Sequence, residues 1–250
     1  MTTAIAHSKR RRSTRLLADS QSADSFTIRL LPLLAAVLSL PLIAAGACML
    51  LAGIASYQAQ AFLDDWTNKR SEPTAKAWQI AHDAAQRAVR LYPGNNGEYL
   101  ERLGRVWQWQ QFRAPFGAAQ AQASRRAALE AFRASTQARP EWPYAWAALA
   151  YAKLHLLELD NEFAHALQQA NNLGPNRIEI NRTLAEIGLL AWPSLDAGQR
   201  SATLAAADRV VQYSGNEARY LSEVAAHAGM SEALCEHLDE RIRKKQGICQ

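Results

Sequence analysis

Residues 128–150 read ALEAFRASTQARPEWPYAWAALA. Within them Ala128, Phe132, Ser135 and Pro140 follow one another at intervals of four, three and five. Positions three and four apart share a helix face, so a small, a large and a small side chain line up on one side. Proline then ends the helix, because it has no N–H and its ring collides with the preceding turn. A second helical spacing begins at once: Trp146, Leu149, Ala150 and Lys153 again recur at three and one-plus-three. The expected unit is a helix hairpin whose small residues let two helices approach while a large residue fills the gap between them.

The same grammar recurs along the chain. Ala81, Ala85, Ala88 and Pro93 repeat the second-helix spacing, as do Phe163, Leu167, Ala170 and Pro175. Leu100, Leu103, Gly104 and Trp107 carry the first-helix spacing, and Asn181, Leu184, Ala185 and Gly188 echo it. These are the tetratricopeptide signatures, W-x2-L-G-x2-Y on a first helix and A-x3-F-x2-A-x4-P on a second, with a period of about 34 residues. Pro140 and Pro175 are 35 residues apart, but Pro93 and Pro140 are 47 apart. Either two helices are elongated there or the repeat carries an insertion. The excess surrounds Trp107, Trp109, Phe112 and Phe116. From residue 58 onward no period-two pattern signals strands, and turn residues punctuate the chain at Pro93-Gly94, Gly174-Pro175 and Ser214-Gly215.

Upstream, no charged residue occurs between Arg29 and Asp64. Residues 30–57 form an apolar run that would span about 42 Å as a helix, against a bilayer core of about 30 Å. It is too long for the core of a cleaved signal peptide, although Ala59-Gln60-Ala61 has the look of a cleavage site. The preceding tail carries Lys9, Arg10, Arg11, Arg12, Arg15 and Arg29 against Asp19 and Asp24, a net +4 out of +5 for the whole chain. Positive residues stay cytoplasmic. The expected topology is therefore a single pass through the inner (cytoplasmic) membrane, with the N-terminus cytoplasmic and the body periplasmic. The nearly neutral body argues against nucleic acid as a partner.

The fold expected is all-α: a single N-terminal transmembrane helix followed by a tetratricopeptide-like helical-hairpin solenoid. Its parts are a basic tail (1–29), the spanning helix (30–57), a linker or helix start (58–77), the repeats (78–220) and C-terminal capping helices (221–250). The capping region reads as one helix over 231–246. Cys235 and Cys249 would then be separated by a helical rise of about 16 Å that three remaining residues can retrace by about 10 Å, whereas a disulfide needs Cα atoms within about 7 Å. They bridge if that helix breaks early, and are free thiols if it does not.

No G-x-S-x-G, H-E-x-x-H, C-x-x-C, P-loop or G-x-G-x-x-G sequence occurs. Glu162 and His165 form a lone E-x-x-H, and Glu223 and His227 share a helix face. Neither meets the demands of a metal site. The chain is expected to be no enzyme and to hold no cofactor or metal.

The stretch RPEWPYAWAALA (139–150), with Leu173-Gly174-Pro175 and Leu190-Ala191-Trp192, resembles the VpsP-type proteins of bacterial exopolysaccharide gene clusters, over about residues 70–220. Those are membrane-anchored proteins with tetratricopeptide-like repeats. The resemblance implies a scaffold or assembly factor in exopolysaccharide synthesis or export, with proteins of that machine as partners and no catalytic residues to carry over. Two other functions fit the same residues. One is a direct glycan-binding module. The other is an assembly factor of another envelope system, such as secretion or cytochrome maturation. For a partner or glycan surface the candidates are Trp107, Trp109, Phe112, Phe116, Trp142 and Tyr144.

Overall fold

The structure is a computed structural model; it describes the backbone of residues 5–249 and the side-chain surroundings of residue 32 and residues 35–249. The charged side chains of the tail, Lys9 through Arg29, lie outside that set. Among the described residues all regular structure is helical, in eleven α-helices and two single-turn 3-10 helices. The chain divides into two units, residues 1–50 and 51–250.

Helix α1 is Ile5–Lys69. In the first unit it contains Pro32 and Pro41 and leaves Val37, Leu38, Leu40, Leu42, Ile43 and Leu50 exposed. It is long and apolar enough to cross a membrane. In the second unit the same helix has a different character. Ala52, Ala55, Ser56, Ala59, Leu63 and Trp66 are buried, while Ile54 and Tyr57 are exposed. The far end of the expected 30–57 span puts Ala52, Ala55 and Ser56 against protein, and of the stretch expected as a linker or helix start (58–77), residues 58–69 continue α1. Long side chains of the body cover this row of small residues: Arg102 donates to Ser56 Oγ and, at 2.8 Å, to Gln60 Oε1.

The other helices are α2 (Ala75–Leu91), α3 (Gly97–Trp109), α4 (Gln122–Ala138), α5 (Pro143–Leu156), α6 (Asn161–Leu173), α7 (Ile178–Leu190), α8 (Ala197–Tyr213), α9 (Gly215–His227), α10 (Ser231–His237) and α11 (Glu240–Gln246). Side-chain caps start many of them: Thr74, Asn96, Asp160, Asp196 and Ser214 each accept a backbone N–H of the first turn. From α2 to α9 every helix packs on the next, and α3, α5, α7 and α9 also touch one another in turn. The second helices α2, α4 and α6 end just before Pro93, Pro140 and Pro175.

The packing explains the sequence grammar. A Cβ added at Gly104 of α3 would lie 2.6 Å from the Phe132 ring of α4, so only glycine lets the aromatic seat there. Phe132 is fully buried, which stabilises the fold by about 1.5–3 kcal/mol relative to an exposed ring. Gly188 of α7 plays the same part opposite Thr203 of α8. The core falls into two clusters. A small one joins Ala59, Leu63 and Trp66 to Ala81, Ala84, Ala85 and Val106. A large one runs from Ala128 to Ile248.

The long 93–140 interval has two sources: residues 110–121 connect α3 to α4, against 157–160 between α5 and α6, and α4 has 17 residues against 13 in α6. Buried Arg125 pins the connection by donating to the carbonyls of Ala114 (2.5 Å), Pro115 (2.7 Å) and His155 (2.9 Å). At the C-terminus the expected single helix is two, and α9 crosses the expected 220/221 boundary. Leu238 is extended and Asp239 caps α11 through the Arg241 N–H at 2.8 Å. Gly247 then reverses the chain at φ 68°, and Cys235 and Cys249 form a disulfide with Cα atoms 5.6 Å apart.

Candidate functional site

The six aromatic residues singled out from sequence do not form one surface. Trp107 packs among Trp78 and His82, with ring centroids 5.0 and 4.5 Å away. Trp109 lies against Trp66 (6.0 Å) and stacks on Phe112 (4.4 Å). Phe116 meets the edge of His155 at 4.9 Å. These four therefore belong to the first hairpins and to the inserted connection. Trp109 and Phe112 do line a cavity of about 100 Å³ with Arg125, Tyr151 and His155. Burial there, with the Arg125 charge beside it, pushes His155 down to about 4, so its ring is neutral at ordinary pH.

Trp142 and Tyr144 are elsewhere, their rings 5.0 Å apart, on the wall of a groove of about 500 Å³. The groove follows the row of first helices. Gln60 comes from α1, Glu98, Glu101, Arg102 and Arg105 from α3, Trp142 and Tyr144 from the start of α5, and Arg139 and Arg177 from the turns preceding α5 and α7. Four guanidiniums face two carboxylates, a local excess of +2.

The charges divide into those that hold the fold and those left over. Arg102 is committed: it donates to Gln60 Oε1 (2.8 Å), to Ser56 Oγ and to Glu98 Oε1 (2.7 Å), tying α3 to α1. Glu101 accepts from Trp142 Nε1 at 3.1 Å. Burial raises the Glu101 carboxyl above its usual range despite neighbouring Arg105, and burial lowers the Arg105 guanidinium. Arg139 lies over the Trp142 ring at 4.1 Å, and Arg177 stands 5.8 Å from Trp142 and 5.7 Å from Tyr144. Among the described residues neither has a carboxylate within 4 Å. A guanidinium on an aromatic face is held in place while its N–H edge stays available.

No known family model matches the chain, and no curated protein is significantly similar to it.

The remaining candidate chemistry has structural employment. Glu162 of the lone E-x-x-H is gripped by Lys153 (2.7 Å) and Arg133 (2.6 Å), and His165 meets the Trp146 ring at 5.2 Å. His227 bonds the Glu223 backbone oxygen at 2.7 Å. A further groove of about 530 Å³ lies along α6, α7 and α8, lined by neutral amides such as Gln168, Asn171 and Gln199. Sequence reading missed the arginines of the charged groove. The available signal was their placement: Arg139 directly precedes Pro140, and Arg177 stands at the corresponding turn after Pro175.

Proposed function

We propose that this chain is a membrane-anchored scaffold of the bacterial envelope, with its tail cytoplasmic and its helical body periplasmic, holding proteins of an exopolysaccharide synthesis or export machine. The body is read as a tetratricopeptide-like hairpin array. The observation that carries the scaffold reading is the groove along the first helices, where α1, α3, α5 and the turn before α7 contribute side chains to one open surface. Helical-repeat proteins use such extended inner surfaces to hold partner segments. The apolar stretch of α1 and the tail cations before it support the anchor and its orientation. Resemblance over residues 70–220 supports the polysaccharide setting.

Two experiments test this. A photo-crosslinking residue at Glu98 in the full-length protein is expected to capture synthesis or export proteins. Capture of none, with normal polymer made by a deletion strain, refutes the scaffold. Alkaline phosphatase fused to the C-terminus is expected to be active, and an inactive, stably made fusion reverses the topology. A direct glycan-binding role is the second reading, and the Trp142–Tyr144 pair favours it. Quenching of tryptophan fluorescence by native polymer, absent in Trp142→Ala, would establish it.

A further inference from the structure

We infer that the groove around Trp142 docks an acidic peptide segment of a partner protein, a stretch whose Asp or Glu side chains seat against Arg139 and Arg177. This rests on the scaffold reading and names the chemistry of what the scaffold grips.

The charge pattern carries it first. Arg102 is consumed by Ser56, Gln60 and Glu98, and Glu101 is held by Trp142. Glu179, the nearest carboxylate of α7, accepts from the Tyr144 hydroxyl at 3.3 Å. What remains is two guanidiniums with no carboxylate within 4 Å among the described residues, Arg139 over the Trp142 ring and Arg177 near both Trp142 and Tyr144, with Arg105 lining the same groove. Planar guanidiniums present parallel N–H donors that match a carboxylate two at a time.

Preorganisation comes second. The Arg139 stem packs on Gly97 so closely that a Cβ there would come within 2.8 Å of Arg139 Cγ. Its head rests on Trp142. Arg139 therefore loses little rotamer freedom on engaging an anion, which favours binding. Trp142 and Arg177 occupy the N-cap positions of α5 and α7, and no side chain closes either cap. The positive end of α5, whose first turn has no acidic residue, adds to the field the arginines make, while Glu179 in the first turn of α7 offsets that helix's end.

The same geometry separates a peptide from a sugar. A pyranose ring binds by laying its C–H face on a bare aromatic face. Here Arg139 covers one side of Trp142 while Tyr144 and Arg177 crowd the ring from nearby. The groove offers charged donors instead of an open stacking platform, and an acidic side chain on a flexible backbone uses them best.

The test uses full-length protein in detergent or nanodiscs with three labelled probes: a poly-glutamate peptide of about ten residues, the matching poly-glutamine, and an oligogalacturonate. Poly-glutamate is expected to bind, with affinity falling as salt rises, and poly-glutamine is not. Arg139→Gln with Arg177→Gln is expected to weaken poly-glutamate by about tenfold or more with unchanged helical content and melting. Arg241→Gln, an exposed arginine on α11, should leave binding unchanged. No binding of poly-glutamate, or binding indifferent to the double substitution, overturns the inference. Oligogalacturonate that binds more tightly and is lost in the same variant overturns it in favour of an acidic glycan. A crosslinker at Gln168, outside the groove, separates the two levels: partners still captured there while poly-glutamate fails leave the scaffold standing and remove only the acidic ligand.

Discussion

Two clusters of charge in the body differ in how their charges are paired. One surrounds Lys153, whose side chain is 1 % exposed yet fully occupied, by Asp160 at 2.9 Å and Glu162 at 2.7 Å. Arg133 closes the network onto Glu162 and Glu130, and Arg126 pairs with Glu158. The other is the groove at Trp142, where Arg139 lies over the Trp142 ring and Arg177 stands near Tyr144, neither with a carboxylate within 4 Å among the described residues. In the first, every buried charge has an opposite within the fold, and the ends of α4, α5 and α6 are fixed by it. In the second, charge is left over at an open surface. Balance marks the structural cluster, and the imbalance of the other is what the proposed acidic ligand would meet.

Breaking the closed cluster should have the largest effect. Lys153→Ala leaves Asp160 and Glu162 facing an emptied, buried position and should cost about 3 kcal/mol in urea unfolding. A loss below about 1 kcal/mol would show that the network is only decoration. Glu162→Gln keeps the shape but gives up the charge-assisted bonds to Arg133 and Lys153, and should cost about 1–2 kcal/mol.

Acid sharpens the same point. The Arg133 and Lys153 contacts hold Glu162 down at about 2, and Asp160 is lowered as well, chiefly by its bond to Lys153 set against the burial that would raise it. A carboxyl lowered in the fold contributes stability above its unfolded pKa and loses it as pH falls through the folded value. Stability should therefore decline from about pH 4.5 toward 2, and Glu162→Gln should flatten that decline in pH-dependent melting. Glu101 works the other way, since burial raises it. Glu101→Gln should change stability by less than about 0.5 kcal/mol and can keep the bond from Trp142. The smallest effect belongs to Arg139→Gln with Arg177→Gln, about 0.5 kcal/mol or less, because no ion pair is lost. A large destabilisation there would make the open cluster structural too and erase the contrast.

How much of this could be read in advance differs by region. The hairpins were readable because Gly104 with Phe132, and the prolines at 93, 140 and 175, act within or between adjacent helices. The inserted connection was readable as an excess of length, but its fold was not, since it depends on Arg125 reaching carbonyls at 114, 115 and 155. The path between the two cysteines turns on one residue. Asp239 caps a new helix instead of continuing the old one, and that break lets Cys249 return to Cys235. The aromatic candidates were split by packing: Trp107 filled the space beside His82, while Trp142 stayed at a groove edge.

By itself the amino-acid order determined the all-helical character, the hairpin spacing, the apolar stretch near the N-terminus and the separation of a basic tail from a neutral body. Those properties are local, set by periodicity, proline and charge along the chain. Tertiary structure alone decided that residues 52–66 join the body's core, that Lys153 is neutralised while Arg139 and Arg177 are not, and that a groove opens between them. These depend on side chains from Gln60 to Arg177 meeting in space, and linear spacing carries no record of which distant charges will become neighbours.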